Sequence, residues 1–365
     1  MRTTHALHVG DAADTSLADQ SVDLVVTSPP YPMIEMWDDL FSARDDTVAD
    51  ALDEGDGEAA FEAMHAQLDA VWDEVARVLR PGGIVCINVG DATRSLGGSF
   101  RQYPNHARVL SALTERGLNP LPDIIWRKPT NSRTKFMGSG TLPPNAYVTL
   151  EHEYVLILRK GLPRSFPPGD ESRYESAIFW EERNQWFSDL WEFTGTAQRL
   201  ESESRTRSAA FPIELPLRLI RMYSVYGDTV LDPFLGTGTT TIAAILAGRN
   251  SVGYELESSL VEAFGERLTD ISARSEREVS QRLADHRRFS TNRATRPGYD
   301  ADTYDFRVVT KQEQQIQLYR VASVSGDEGE QTATYTVEHT PVTSLPNSQD
   351  PMPSDNADAT SDDDD

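Results

Sequence analysis

The stretch TVLDPFLGTGTTTIAAILAG, Thr229 to Gly248, leaves few folds open to this chain. Thr229 to Asp232 reads as a short strand, Gly236 and Gly238 punctuate a turn, and Thr239 to Ala247 reads as a helix that Gly248 stops. Ser251 to Glu255 follows as a second strand. Strand, glycine turn, helix and strand make a βαβ unit. That unit commits the chain to an α/β fold with a parallel sheet, in which ligands bind outside the carboxyl ends of the strands.

A second strand end is more unusual. Val22 to Thr27 runs directly into TSPPY, residues 27 to 31. Proline at 29 and 30 removes two backbone donors and fixes φ, so the segment is rigid, extended and rich in unpaired carbonyls. Around these two corners the alternation of elements is regular. A short strand, Ala6 to Val9, precedes the turn Gly10-Asp11 and a helical or turn segment ending near Asp19. The acidic insertion Asp38 to Glu58 shows no apolar period and is expected to be a surface loop. Phe61, Met64, Leu68, Val71, Val75 and Val78 recur at steps of three and four, which predicts an amphipathic helix over 60–79. Arg80-Pro81-Gly82-Gly83 ends it. A strand at Ile84 to Val89, a helix at Asn105 to Arg116 closed by Gly117, and strands at Leu121 to Trp126 and Tyr154 to Leu158 follow.

Residues 161–208 break the alternation with prolines and three of the six tryptophans, and read as an inserted recognition region. Order returns with a helix around Pro212 to Tyr223. Beyond Arg267 come an arginine-rich helix or linker and alternating stretches at 306–309, 316–324 and 332–337, which suggest a small β-rich appendage. The chain therefore divides into 1–160 with the TSPPY corner, the insertion 161–208, 209–270 with the glycine corner, 271–345 as linker and appendage, and a polar acidic tail, 346–365, expected to be disordered.

Composition narrows the chemistry. Of 365 residues 38% are hydrophobic, enough for a sizeable core. One cysteine, Cys86, rules out a disulfide framework or a thiolate-rich metal site, and the seven histidines lack ligand spacing, so no metal is expected. No apolar run approaches a membrane span, and Met1-Arg2-Thr3-Thr4-His5 lacks a signal-peptide core, so a cytoplasmic location is expected. The net charge is −24, and only four of 34 cations are lysines. That balance resembles the proteome of an extreme halophile, where surface carboxylates keep protein hydrated.

The glycine corner is neither a Walker loop, since no Gly-Lys-Ser/Thr follows, nor a good dinucleotide fingerprint, since Thr241 replaces the third glycine. Glu255 closes the next strand 19 residues beyond Gly236, where an acid can hold ribose hydroxyls. Asp232 beside the loop disfavours pyrophosphate and favours a cation. S-adenosyl-L-methionine, with an ammonium and a sulfonium, fits: its amino acid near Asp232 and Gly236, its ribose on Glu255.

TSPPY followed by DPFLGTGTT resembles the DNA amino-methyltransferases of the β-type, permuted arrangement, in which the catalytic motif precedes the cofactor motif. The likeness spans residues 5–265. It includes GDA at 10–12, RVLRPGG at 77–83, WRK at 126–128, HEYVLILRK at 152–160 and FPIELP at 211–216. The resemblance implies a Rossmann-like S-adenosylmethionine-dependent methyltransferase sheet. It implies catalysis by Ser28, Pro29, Pro30 and Tyr31, and cofactor binding by Asp11, Ala12, Phe211, Pro212, Asp232, Pro233, Phe234, Gly236, Gly238, Thr239 and Glu255.

An exocyclic amine conjugated to a ring is a weak nucleophile. Acceptors at the Ser28 hydroxyl and Pro29 carbonyl, aimed at its N–H groups, would pull it toward tetrahedral geometry for direct in-line methyl transfer. Tyr31 would stack on a base flipped from double-stranded DNA. Serine at position 28 resembles the cytosine-N4 group, so cytosine N4 is the expected target, with adenine N6 as the alternative. Methylation of RNA or protein glutamine is disfavoured by the permuted order and the insertion. From another class stands a non-catalytic DNA-binding module on the same fold. Cytosine C5 chemistry needs a reactive thiolate, and Cys86 sits inside an apolar strand.

DNA-backbone contact is expected from Arg127, Lys128, Arg133 and Lys135, in the acid-free stretch 124–150. Residues 272–296 add seven arginines against three acids, equally consistent with a solvated helix. Arg164, Arg173, Arg183, Arg199, Arg205 and Arg207 of the insertion are expected to read bases, and the resemblance to the halophile relatives implies a short palindrome such as CTAG. A cognate restriction endonuclease acting separately is a conceivable partner. Monomer and homodimer both stay open.

Overall fold

A computed structural model describes residues 1–128, 138–193, 211–293 and 297–343. The strands, in chain order, are β1 (Arg2–Val9), β2 (Val22–Thr27), β3 (Leu79–Val89), β4 (Ala92–Leu96), β5 (Ser99–Tyr103), β6 (Leu118–Pro120), β7 (Ile124–Arg127), β8 (His152–Lys160), β9 (Leu190–Glu192), β10 (Thr229–Asp232), β11 (Asn250–Glu255), β12 (Tyr299–Asp300), β13 (Arg307–Val308), β14 (Tyr319–Glu328) and β15 (Thr332–Pro341). The helices are α1 (Asp38–Ser42), α2 (Asp46–Glu54), α3 (Gly57–Val78), α4 (Asn105–Glu115), α5 (Glu171–Glu175), α6 (Trp180–Trp186), α7 (Glu214–Tyr223), α8 (Thr239–Ala247), α9 (Ser258–Glu262) and α10 (Ile271–Asn292).

Among the described residues one eleven-stranded sheet runs in the order β14-β15-β1-β11-β10-β2-β3-β8-β7-β9, with β6 also pairing β8. The centre, β1-β11-β10-β2-β3, is parallel. Antiparallel pairs flank it, β15 on β1 and β8 on β3. The βαβ unit read from the glycine corner is β10-α8-β11. Chain order runs outward in both directions from the β10–β2 seam, through β11 on one side and β3 on the other. That seam is a switch point, and a crevice opens there at the carboxyl edge.

Side-chain alternation divides the core between the two faces of the sheet. Leu24 and Val26 of β2, with Ile84 and Cys86 of β3, join α7 and α8 on one face. Val25, Val85, Ile87 and Val89 face the other way, onto Met64, Leu68, Val71, Trp72 and Val75 of α3 and Val109 and Leu113 of α4. Asp56 caps α3, accepting from the Glu58 and Ala59 amides at 3.2 and 3.0 Å. A third cluster joins Phe179, Val279 and Leu283 to Phe306, Val308 and Leu318.

Two local expectations differ from the structure. The acidic stretch expected to be a loop folds as α1 and α2, and Phe41, Val48 and Ala51 are buried from it. Helices this short show too few apolar positions for a period to stand out among the acids. The stretch read as an arginine-rich helix or linker is the helix α10, but β14 and β15, expected in a separate small appendage, extend the main sheet beyond β1. Among the described residues no helix is long and apolar enough to cross a membrane.

Candidate active site

Both unusual corners end strands at the β10–β2 seam, and they meet. Thr27 Oγ1 donates to Asp232 Oδ1 at 2.6 Å, tying the end of β2 to the end of β10. The Phe234 amide donates to the same oxygen at 3.1 Å. Gly236 N–H donates to Glu255 Oε2 at 2.8 Å, and the Glu257 amide donates to Oε1 at 3.0 Å, so Glu255 braces the glycine turn from β11. Gly10 N–H on the Glu255 carbonyl, 2.9 Å, adds the end of β1.

These ends enclose a cavity of about 290 Å³. Ser28, Pro29, Pro30 and Tyr31 line it together with Asp11, Ala12, Phe211, Asp232, Pro233, Phe234, Gly236, Thr239 and Glu255. Pro212 and Gly238 do not line it. Gly238 instead precedes α8 at φ +79, where a Cβ would fall 2.4 Å from the Phe264 ring. A left-handed conformation and a ring in contact leave no room for a side chain.

Sequence reasoning missed part of the wall. Trp37, and Leu40, Phe41 and Arg44 from the supposed loop, line the cavity, as do Leu68 and Val71 of α3. Arg44 pairs with Asp11 across it. Tyr254, next to Glu255 on β11, also lines it. The signal for Tyr254 was its place at a strand's carboxyl end; Arg44 carried none.

Asp232 is buried, and burial raises its carboxyl to about 6 against the hydrogen bonds from Thr27 and Thr240. A buried acid so placed favours a cationic group beside it. Three further buried polar atoms of the wall residues, Gln67 Oε1, Thr239 Oγ1 and Tyr254 OH, have no hydrogen-bond partner among the described residues. The cavity thus holds an acid suited to an ammonium, a carboxylate at the ribose position and unspent polar atoms between apolar walls. That donor set fits S-adenosylmethionine.

At the other rim, Ser28 Oγ lies 2.9 Å from Tyr31 OH. Tyr31 OH donates to Glu153 Oε2 at 3.0 Å, and Asn88 Nδ2 donates to the phenol oxygen and to Glu153 Oε2 at 2.8 and 2.6 Å. Burial, then the Glu153 charge, pushes the phenol well above its ordinary value. Cys86 is fully buried in β3, and burial pushes its thiol up. It has no access to the cavity as a nucleophile.

The cations expected to meet DNA are placed variously. Lys128 sits on Glu153 and over the Trp126 ring, 4.4 Å from its centre. Arg127 spans Glu151 and Glu192 at 3.6 and 3.1 Å. Arg133, Lys135, Arg199, Arg205 and Arg207 lie outside the described residues, as does the tail 346–365. Arg164 staples Asp23 and Asp228 at 3.2 and 2.7 Å. Arg282 of α10 is paired with Glu182 at 2.6 Å, both nearly buried, whereas Arg277 is largely exposed.

Residues 22–266 match the DNA methylase family of N6 and N4 enzymes. The chain belongs to that family. This methylase is 53% identical over 325 residues to the type II methyltransferase M.MthZI of Methanothermobacter thermautotrophicus, covering 87% of this chain and 91% of that one. It is 51% identical over 278 residues to the type II methyltransferase M.MjaI of Methanocaldococcus jannaschii, covering 73% and 91%. Among solved structures it resembles TTHA0409 of Thermus thermophilus, described as a DNA modification methylase and complexed with S-adenosyl-L-methionine. That likeness has 34% identity and a TM-score of 0.58, over 73% of this chain and 94% of that one.

Proposed function

We propose that this methylase transfers the methyl group of S-adenosyl-L-methionine to the exocyclic N4 amine of cytosine in a short duplex DNA sequence. The observation that carries the reading is the meeting of Ser28 and Asp232 on one cavity, with the Thr27–Asp232 bond of 2.6 Å between them. Asp232 would hold the cofactor's ammonium and Glu255 its ribose, and the bound cofactor supplies an electrophilic methyl. Ser28 Oγ and the Pro29 carbonyl accept from the amine's two N–H groups, draw its lone pair out of conjugation and hold it in line; once methylated, the nitrogen loses one of those protons to solvent. The prolines keep that carbonyl from reorganising. The target base leaves the duplex to enter, and Tyr31 packs on it.

The resemblance of the Ser28 corner to that of the cytosine-N4 group supports cytosine N4 over adenine N6. The names of M.MthZI and M.MjaI support a further reading, that a separate type II restriction endonuclease shares the recognition sequence. Duplex DNA treated with the protein and labelled cofactor, then digested to nucleosides for mass spectrometry, tests the target. N4-methylcytosine is expected. N6-methyladenine alone would transfer the reading to the adenine enzymes, and absence of label on DNA that is nevertheless tightly bound would leave only a binding module. Ser28→Ala is expected to slow transfer at least roughly 100-fold with cofactor affinity held within about twofold, the span of a lost oxyanion-type contact.

A further inference from the structure

The Ser28 hydroxyl is both donor and acceptor, and only one of those polarities serves an amine. If its hydrogen points into the cavity, it opposes the amine's N–H groups; if its lone pairs do, it draws them. Nothing on Ser28 itself decides between the two. The residues behind it do.

Tyr31 OH has one hydrogen and two lone pairs. Asn88 Nδ2, at 2.8 Å, takes one lone pair. Glu153 Oε2, 3.0 Å away, is a carboxylate oxygen and only accepts; closer and charged, it takes the phenol's hydrogen in preference to the Asn88 backbone carbonyl oxygen at 3.4 Å. The reverse setting of the Asn88 amide would put Oδ1 against the same carboxylate, whose Oε2 lies 2.6 Å from Nδ2. What remains on the phenol is one lone pair, facing Ser28 Oγ at 2.9 Å. The Ser28 hydrogen fills it. Both lone pairs of Ser28 Oγ are then left for the cavity.

We infer that Glu153 is a positioning residue for methyl transfer: through Tyr31 it fixes the Ser28 hydroxyl as an acceptor toward the incoming amine. Its place is built for this. Glu153 lies on β8, antiparallel to β3, beside the Asn88 end of that strand at the carboxyl edge. Lys128 pairs with its other oxygen, Oε1. Gly90 leaves the room, since a Cβ there would fall 3.0 Å from the Tyr31 ring and 3.1 Å from Glu153 Cγ. Lys128 is accordingly assigned to this network rather than to a phosphate.

The inference rests on the acceptor role proposed for Ser28, and three variants of the full chain separate the two. Single-turnover methyl transfer is measured on unmethylated plasmid DNA with labelled S-adenosylmethionine, alongside cofactor affinity by titration. Glu153→Gln keeps the shape and reverses the polarity, because its amide can donate to the phenol and turn the Ser28 hydrogen toward the cavity. Glu153→Asp keeps the charge and loses a methylene.

A polarity role ranks Asp above Gln: the Gln variant is expected to transfer roughly 100-fold more slowly than wild type and the Asp variant to keep a clear advantage over it, cofactor affinity being held in both. A packing role ranks them the other way. A Gln variant equal to or faster than the Asp variant, or loss of cofactor binding in both, overturns the inference. Should Ser28→Ala transfer as fast as wild type, the acceptor reading of Ser28 itself falls. A slow Ser28→Ala beside a fast Glu153→Gln removes Glu153 alone.

Discussion

Asp232 is under two opposed demands. Buried at the end of β10, its carboxyl is raised from 3.8 to about 6, so the folded protein binds a proton in that interval that the unfolded chain releases. Stability on this account is gained as pH falls from 6 toward 4, and above pH 6 the ionised group is a net cost to the fold of a few kcal/mol at most, at about 1.4 kcal/mol per unit. The same charge is what an ammonium needs. Asp232→Asn, which keeps an oxygen for Thr27 and the Phe234 amide, is therefore expected to raise the melting temperature without cofactor at pH 7.5 and to weaken S-adenosylmethionine at least roughly tenfold. In the wild type the dissociation constant should rise about tenfold per pH unit below 6 and stay flat from there to about pH 7, above which the cofactor's own α-ammonium begins to titrate. Calorimetric titration at three pH values checks this, and an Asn variant with the wild-type pH slope would place the titrating group elsewhere.

Elements whose evidence is local were legible. The two corners TSPPY and LDPFLGTGTT sit at strand ends because prolines and glycines fix backbone shape within a few residues, and α3 shows its face over several turns. What escaped depended on partners distant in sequence. The buried side of α10 includes Ser275 and His286, so its apolar stripe falls short, and β14 and β15 announce strands without saying which sheet they join. Glu153 reaches Tyr31 and Asn88 only through the pairing of β8 with β3, which nothing local in HEYVLILRK announces. The β1–β15 pairing hides chemistry of the same kind: Thr3 Oγ1 lies 2.9 Å from both His5 Nε2 and His339 Nε2, and His5 Nδ1 lies 2.8 Å from Ser251 Oγ. Burial first, then the neighbouring positive charge, lowers His5 to about 3 and His339 to about 4 from 6.5. Both folded values lie below the unfolded one, so below pH 6.5 the unfolded chain binds the extra protons and stability is lost as pH falls. His339→Gln is expected to remove close to one proton from the pH dependence of unfolding between pH 6.5 and 5, about 1.4 kcal/mol per unit. Urea midpoints for both proteins across that window measure the difference; parallel curves would show His339 protonated in the fold.

Over the whole molecule, 58 acids face 34 cations, of which four are lysines. The structure shows one use for so many arginines, since a single guanidinium fork serves two carboxylates. Arg77 takes Asp19 and Glu74, Arg108 takes Glu62 and Asp69, and Arg116 takes Asp69 and Asp73. The excess acids still leave a net charge of −24. Added salt weakens both the pairs and the repulsion. Exposed pairs contribute about 0–1 kcal/mol each, and the more enclosed ones are screened little. Self-repulsion sums over every uncompensated carboxylate and is relieved as the screening length shrinks from about 10 Å at 0.1 M to about 3 Å at 1 M. We propose that repulsion dominates and that the protein is adapted to high salt. Its melting temperature should then rise by roughly 10 °C between about 0.1 and about 1 M KCl, equivalent to a few kcal/mol for a chain of this size. Sodium sulfate is avoided in that measurement because its exclusion from surfaces stabilises most proteins regardless of charge. A melting temperature that holds or falls in KCl would mean that the arginine bridges, rather than the uncompensated acids, set the salt response, and the acidic surface would then need another explanation.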